Sequence, residues 1–454
     1  MAERRLLRGG TVLSMDPEIG DLARGDVLIE DDRIAAVGPD LDVGDAEVLD
    51  ATGRIVLPGF IDTHRHTWET AIRGCAPNAT LDDYFVEVLD TFAPKYRPDD
   101  VYASNLAGAQ ECLNAGITTL VDWSHINNTP EHPDAAIAAL RETGIRSQYA
   151  YGSANTSLAD YWFESQIVMP ADDVRRVRDT YFSSDDGLLT MALATRGPGF
   201  CVDDVVTAEW QLARELGIPV TVHVGMGRLA GRFGMVKQLR DLGLLDQGTV
   251  YIHSCYLDDE EWQLVKDSGG HISVAAQVEL QMGHGCPPVG RSRQVGLRPS
   301  LSIDVVTTVP GDMFTQMRAA FGNERFLVNS ECWQQDVDVP DTMLTAREVL
   351  EMATIHGAEG AGLADRTGSL TPGKQADVQV IDATAPNMAP LMNPVAAVVL
   401  SADVSNVETV MVAGRTVKQD GRLVGGFDRA RQLVEDSRDY LVSQVERQPD
   451  WIAT

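Results

Sequence analysis

The chain of 454 residues carries 67 acidic against 37 basic side chains, a formal net charge of −30; a field of that sign repels polyanions, which excludes nucleic acid and anionic membrane as expected partners. A hydrophobic share of 44 % suits one large buried core and a smaller one, so two domains are expected. No apolar stretch reaches the roughly 18 residues of a membrane span, the leading MAERRLLRGGTVLSMD lacks the long apolar core of a secretory signal, and six scattered cysteines form no CxxC pair, which together predict a cytoplasmic enzyme with reduced thiols.

In chain order, residues 5–57 read as short antiparallel strands: TVLSM, DVLIEDDRIAAVG and AEVLDATGRIVLPG alternate apolar positions and are broken by Asp-Asp, Gly and Pro. Eight apolar runs follow, each separated from the next by a longer stretch. They are GFIDTH (59–64), TTLVDW (118–123), IRSQYAYG (145–152), LLTMALA (188–194), PVTVHV (219–224), TVYIHS (249–254), HISVAA (271–276) and RPSLSID (298–304). Helix candidates lie between them, such as DDVYASNLAGAQECLNAG after the first and DDVVTAEWQLARELG after the fourth. Strand and turn text returns near the end as ADVQVIDA and VETVMVAGRTVKQDGRLVG. The expected architecture is α/β, a (β/α)8 TIM barrel over 58–365, with a small β-sandwich-like domain built from both termini, 1–57 plus 366–425, and a C-terminal helical segment, 426–454. An open doubly wound sheet is the alternative.

In such a barrel the reacting groups sit where strands end. His64 and His66 close the first run as His-Arg-His; side chains alternate along a strand, so two histidines spaced by one point the same way. His223 closes the fifth run, His253 the sixth and Asp304 the eighth. Taken singly, a histidine between β-branched neighbours is more often a hydrogen-bonded core residue; together these five can converge on one point. Three imidazoles and a carboxylate suit one divalent ion, zinc first, with iron, cobalt or manganese as alternatives. Such an ion lowers the pKa of its water to about 7. Asp304 could then accept the water's proton while His253 hydrogen-bonds the hydroxide or the substrate oxygen.

The segments LPGFIDTHRHTWETAIRG, ECLNAGITTLVD, Asp304 through DMFTQMR, and LTAREVLEMATIHGAEGAGLADRTGSLTPGKQADVQVID, with the two strand-end histidines, resemble the amidohydrolase superfamily nearly end to end. The similarity is to the branch of cytosine and guanine deaminases, S-adenosylhomocysteine deaminase and the triazine hydrolases. It implies His64, His66, His223 and Asp304 as metal ligands, His253 as a catalytic partner, and a homodimer. One position departs. In that branch the strand-five histidine is followed three residues later by a glutamate that carries a proton to the leaving nitrogen; here HVGMG puts Met226 there. Without an acid the amine leaves as a poor anion. The segment VAAQVELQMGHGCPPVGR stands where relatives show a His-Asn-Pro type loop, and its Glu279 and His284 are the candidates to supply the acid or orient the substrate.

His125 follows the second run in LVDWSHINN, and Trp68 and Trp123 flank the same mouth. The tryptophans are expected to stack on a planar ring while His125 bonds a substrate heteroatom. The expected reaction is hydrolysis of a C–N bond in a small molecule, an aminated heterocycle or amide-like ring, by metal-bound hydroxide. Three alternatives stand beside it: expulsion of halide or thiolate, which needs no proton; a non-hydrolytic lyase or cyclase, which would take up no solvent oxygen; and a metal-free binding protein that keeps only the scaffold.

Overall fold

Two sheets organise the chain in the computed structural model, which describes residues 3–42, 44–154, 164–227 and 234–445. The first uses both termini: β1 (Arg4–Leu13), β2 (Asp21–Glu30), β3 (Arg33–Gly38), β4 (Glu47–Asp50) and β5 (Arg54–Pro58). The second holds β6 (Phe60–Arg65), β7 (Ile117–Ser124), β8 (Arg146–Gly152), β9 (Leu189–Thr195), β10 (Val220–Val224), β11 (Val250–His253), β12 (His271–Val274) and β13 (Ser300–Leu301). β14 (Val378–Asp382), β15 (Val407–Val412), β16 (Arg415–Gln419) and β17 (Arg422–Leu423) return to the first.

Strands β6 to β13 pair in sequence order, every pair parallel. Helices cover them, so β7, β8 and β10 are buried at every position instead of alternating between buried and exposed. The two named helix candidates form as Pro98–Asn114, with Pro at its start and Asp99 and Asp100 in its first turn, and Asp203–Leu216, ended by Gly217 at φ 63°. The eighth strand pairs over two residues only, and Ser302 to Asp304 leave it. Closure comes from a parallel bridge of Arg65 to Asp304: the Asp304 amide donates to the His64 carbonyl at 2.9 Å, and the His66 amide donates to the Asp304 carbonyl at 2.9 Å. The seam that shuts the barrel therefore brings the His-Arg-His motif against Asp304. This is the (β/α)8 architecture with a separate sheet from the termini.

That terminal sheet is one sheet of nine strands, ordered β17-β16-β15-β14-β5-β1-β2-β3 with β4 also on β1. Its strands are not all antiparallel as the turn-rich text predicts, because β1 runs parallel to β4 along its first half and to β5 along its second. Register shifts between Leu7, Gly10 and Val12 bulge β1 between those two partners. Alternation divides β5 between two cores: Val56 packs with Leu7, Val12 and Met411, while Ile55 and Leu57 join the main core with the barrel. Helix Asp428–Ser443 sets Ala430 against Leu106, Ala107 and Ala139 of the barrel's outer helices. Among the described residues no helix is long and apolar enough to cross a membrane.

Candidate active site

His64, His66, His223 and Asp304 each offer one ligand atom, and these lie within 4.8 Å of one another, all four side chains buried. Asp304 Oδ1 stands 3.1 Å from His64 Nε2 and 3.4 Å from His66 Nε2, and His223 Nε2 is 3.2 Å from His64 Nε2. His66 donates from Nδ1 to the Trp123 carbonyl at 3.1 Å, so its Nε2 keeps a lone pair. Burial pushes the pKa of His64 down and those of His66 and His223 far down, which keeps the rings neutral. Burial works against ionising Asp304, yet the His64 bond and the surrounding imidazoles hold its carboxyl well below the usual range. Neutral imidazole nitrogens and an ionised oxygen crowded into one buried spot repel one another unless a cation sits among them. The donor set fits a borderline divalent ion.

A second group faces the first. His253 donates from Nδ1 to Glu279 Oε1 at 3.2 Å, the Ala275 amide donates to the same oxygen at 2.9 Å, and His253 Nε2 is 3.6 Å from Asp304 Oδ2. Burial lowers the His253 pKa, but the Glu279 bond and the Asp304 and Glu279 charges raise it more, and the net direction is upward. The His284 ring lies 4.6 Å from that of His253, and burial pulls its pKa down to about 3. The Gly227 amide donates to the His284 carbonyl at 2.7 Å, tying the loop after β12 to the turn after β10 that carries Met226. Gly225 and Gly227 make that turn at φ 64° and 61°. His253, Ser254 and Asp304 hold φ of 69°, 59° and 70°, strain of about 1–3 kcal/mol each that side chains this size rarely accept outside functional sites.

His66, His223, Asp304, His253 and His284 line one cleft with Leu81, Tyr84, Phe85, Met226, Met282 and Val305. No Lys or Arg is among the described residues lining it. His125 lines it too, its ring 4.5 Å from that of His66, and burial pulls its pKa to about 3. Three expected residues stand elsewhere. Trp123 is fully buried behind the ligands, its ring 4.5 Å from His223 and 5.3 Å from His66. Trp68 is packed between Tyr96 and His125, at 5.0 and 5.3 Å, and neither tryptophan is among the residues lining the cleft. Glu279 is fully buried behind His253 and does not line the cleft.

A family model described as the amidohydrolase family matches residues 55–417. The chain belongs to that family. It is a hydrolytic enzyme of a family that works with a divalent metal ion. It is 29 % identical over 426 residues to a 5'-deoxyadenosine deaminase of Methanothermobacter thermautotrophicus, covering 91 % of this chain and 94 % of that protein. An adenosine deaminase from Xanthomonas campestris, solved with bound zinc, matches at a TM-score of 0.83 and 21 % identity over 97 % of this chain and 98 % of that one. The zinc complex of atrazine chlorohydrolase from Arthrobacter aurescens matches at 0.83 and 24 % over 96 % and 100 %. These two likenesses speak for the fold alone.

In this amidohydrolase the aromatic walls of the cleft are Tyr84 and Phe85, which the sequence reading passed over. Tyr84 ends and Phe85 follows a short helix, Leu81–Tyr84, started by a reciprocal Thr80 and Asp83 cap; that Thr-x-x-Asp text was the available signal. Tyr84 donates its hydroxyl to Glu69 Oε1 at 2.5 Å, and Thr307 donates to Glu69 Oε2 at 3.1 Å. Burial pushes the Glu69 carboxyl well up, so a buried acid stands one side chain away from the cleft.

Proposed function

We propose that this amidohydrolase is a zinc-dependent deaminase, replacing the exocyclic amino group of a small neutral heterocycle with oxygen from water and releasing ammonia. The reading is carried by one observation: imidazole nitrogens and Asp304 Oδ1 converge at the foot of a cleft whose remaining walls combine apolar and aromatic side chains with His125, His253 and His284 and hold no Lys or Arg among the described residues. When bound to His64, His66, His223 and Asp304, the ion supplies a Lewis acid that makes water nucleophilic near neutral pH. Asp304 takes the water's proton. His253, oriented by Glu279, faces the oxygen that forms on the substrate, and His253 and His284 are the ionisable groups that meet the departing nitrogen where Met226 offers no acid. Tyr84 and Phe85 flank the ring and His125 meets a heteroatom. Adenine nucleosides lead the candidates because a relative is a 5'-deoxyadenosine deaminase. Ammonia release from adenine nucleosides, aminopyrimidines and aminotriazines is the expected result, measured beside halide and thiolate release from the matching analogues. Halide or thiolate release without ammonia would move the reading to another leaving group, and silence in every assay with metal bound would end it.

The enzyme works in the cytoplasm as a homodimer in this reading. Composite β domain (1–57 plus 366–425), barrel (58–365) and C-terminal segment (426–454) are its units. Phe326 and Trp333, 66 % and 80 % exposed and seven residues apart on helix Met313–Gln335, share one helix face and support self-association. Light scattering should give twice the chain mass, falling to one chain mass in Trp333→Glu; a wild-type monomer would count against it.

A further inference from the structure

We propose that Glu69 is a positioning residue for substrate recognition: its buried carboxyl clamps the Tyr84 hydroxyl and so fixes an aromatic wall of the cleft against the metal-ligating strand ends. The inference rests on the reading that an aminated planar heterocycle occupies the cleft. Glu69 follows His66 by three residues, on the 3-10 helix Thr67–Ile72, and Thr307 follows Asp304 by three. These two positions meet. Tyr84 donates to Glu69 Oε1 at 2.5 Å, and Thr307 donates to Glu69 Oε2 at 3.1 Å. Backbone bonds join the same two segments, from the Gly74 amide to the Val306 carbonyl at 3.1 Å and from the Ala76 amide to the Thr307 carbonyl at 3.2 Å.

Glu69 and Thr307 are fully buried and are not among the residues lining the cleft, whereas Tyr84 is. Glu69 reaches a substrate through the Tyr84 ring. The segment that carries this ring is poorly able to fix itself. Tyr84 ends the single-turn helix Leu81–Tyr84, and the chain widens at once into a π-helical turn, Phe85–Asp90, with Val86 54 % exposed on its outer side. One helical turn bears the cost of nucleation without the gain of propagation, and π-helical turns are rare and concentrate at functional sites. The Leu81 amide ties the start of the segment to the Met282 carbonyl at 2.9 Å, and the Tyr84 hydroxyl ties its middle to Glu69. That second bond holds the ring at one χ1 and χ2, so less rotamer freedom is left to lose when a planar ligand arrives. A carboxyl suits the task in either protonation state. Oε1 accepts from Tyr84 whether or not Oε2 carries a proton, which the Thr307 hydroxyl can accept.

The probes are adenosine for turnover and 2-aminopurine, a fluorescent aminated heterocycle, for binding, both with zinc-loaded enzyme. Glu69→Ala and Tyr84→Phe are each expected to raise KM for adenosine and Kd for 2-aminopurine by about tenfold with little change in kcat, because a wall that touches no reacting atom holds ground and transition states alike. Glu69→Gln keeps the acceptor oxygen and should stay close to the wild type. The double variant, Glu69→Ala with Tyr84→Phe, should bind no more weakly than either single one, since both remove the same bond. Zinc content should equal that of the wild type in all four. Additive losses in the double variant, a fall in kcat at unchanged KM, or Glu69→Gln as impaired as Glu69→Ala would each overturn the clamp and leave deamination in place. Zinc loss in Glu69→Ala would make Glu69 a support of the ligands and overturn it as well. If the wild type binds 2-aminopurine without turning over adenosine, the Kd comparison alone decides. A wild type that binds no 2-aminopurine and releases no ammonia from adenosine would end the reading of the cleft and this inference with it.

Discussion

Asp304→Asn is expected to lower kcat/KM toward the proposed amine substrate by at least about 10⁴-fold, because in the proposed mechanism one side chain serves as metal ligand and as proton acceptor, and general-base catalysis alone contributes roughly 10²–10⁴. Asparagine keeps the shape of the side chain and both backbone bonds of the barrel seam, those of Asp304 with His64 and His66, so the fold should survive. What it loses is the ionised oxygen 3.1 Å from His64 Nε2. The amide cannot accept a proton at working pH, and it ligates borderline metals poorly. Far-ultraviolet dichroism should match the wild type while metal content falls. Chelation of the wild-type enzyme should abolish turnover and added zinc should restore it, whereas zinc should not rescue the variant. A variant keeping a tenth of wild-type kcat/KM would remove Asp304 from the chemistry.

The barrel was legible because parallel strands covered on both faces read as apolar-rich runs, and because each ligand closes such a run. His64 and Asp304 lie far apart in sequence, yet the first and last strands of a closed barrel are neighbours, so closure alone predicts their meeting. Side-chain direction beyond the strand ends was not legible. Trp123 is on β7 itself and its ring turns under His223, which apolar text cannot distinguish from a ring turned toward the mouth. Glu279 sits in a helix, Ala276–Gln281, whose first turn folds its carboxylate back onto the Ala275 amide behind His253, so nearness to the mouth in sequence did not translate into exposure to the cleft. The parallel partners of β1 depend on a bulge at Gly9–Gly10 that lets one strand serve two neighbours, a property of the whole sheet. Met226 stood out for the opposite reason: a single-residue departure beside a motif needs no tertiary information to be seen.

Asp377→Ala is expected to destabilise the enzyme by about 3–5 kcal/mol, the usual cost of stranding one partner of a buried ion pair. Asp377 precedes β14 in the terminal sheet, and Arg146 opens β8 in the barrel. The guanidinium donates from Nε at 2.7 Å and from Nη2 at 2.9 Å to the two carboxylate oxygens, with the side chains 1 % and 0 % exposed. The Ala413 amide, in the turn between β15 and β16, adds a third bond to Asp377 at 2.7 Å. Removing the carboxylate therefore leaves a charged fork and a backbone donor without their acceptor in a dry interface. Much of the cost is that stranded charge, not the net worth of the pair. Arg146→Leu with Asp377→Leu should consequently recover at least half of the loss, although Asp377→Ala alone keeps more of the native groups. Urea unfolding monitored by tryptophan fluorescence measures both. A single-variant loss below about 1 kcal/mol, or a double variant no more stable than the single, would mean that apolar packing such as that of Ile55 and Leu57 on the barrel core joins the two sheets without this pair.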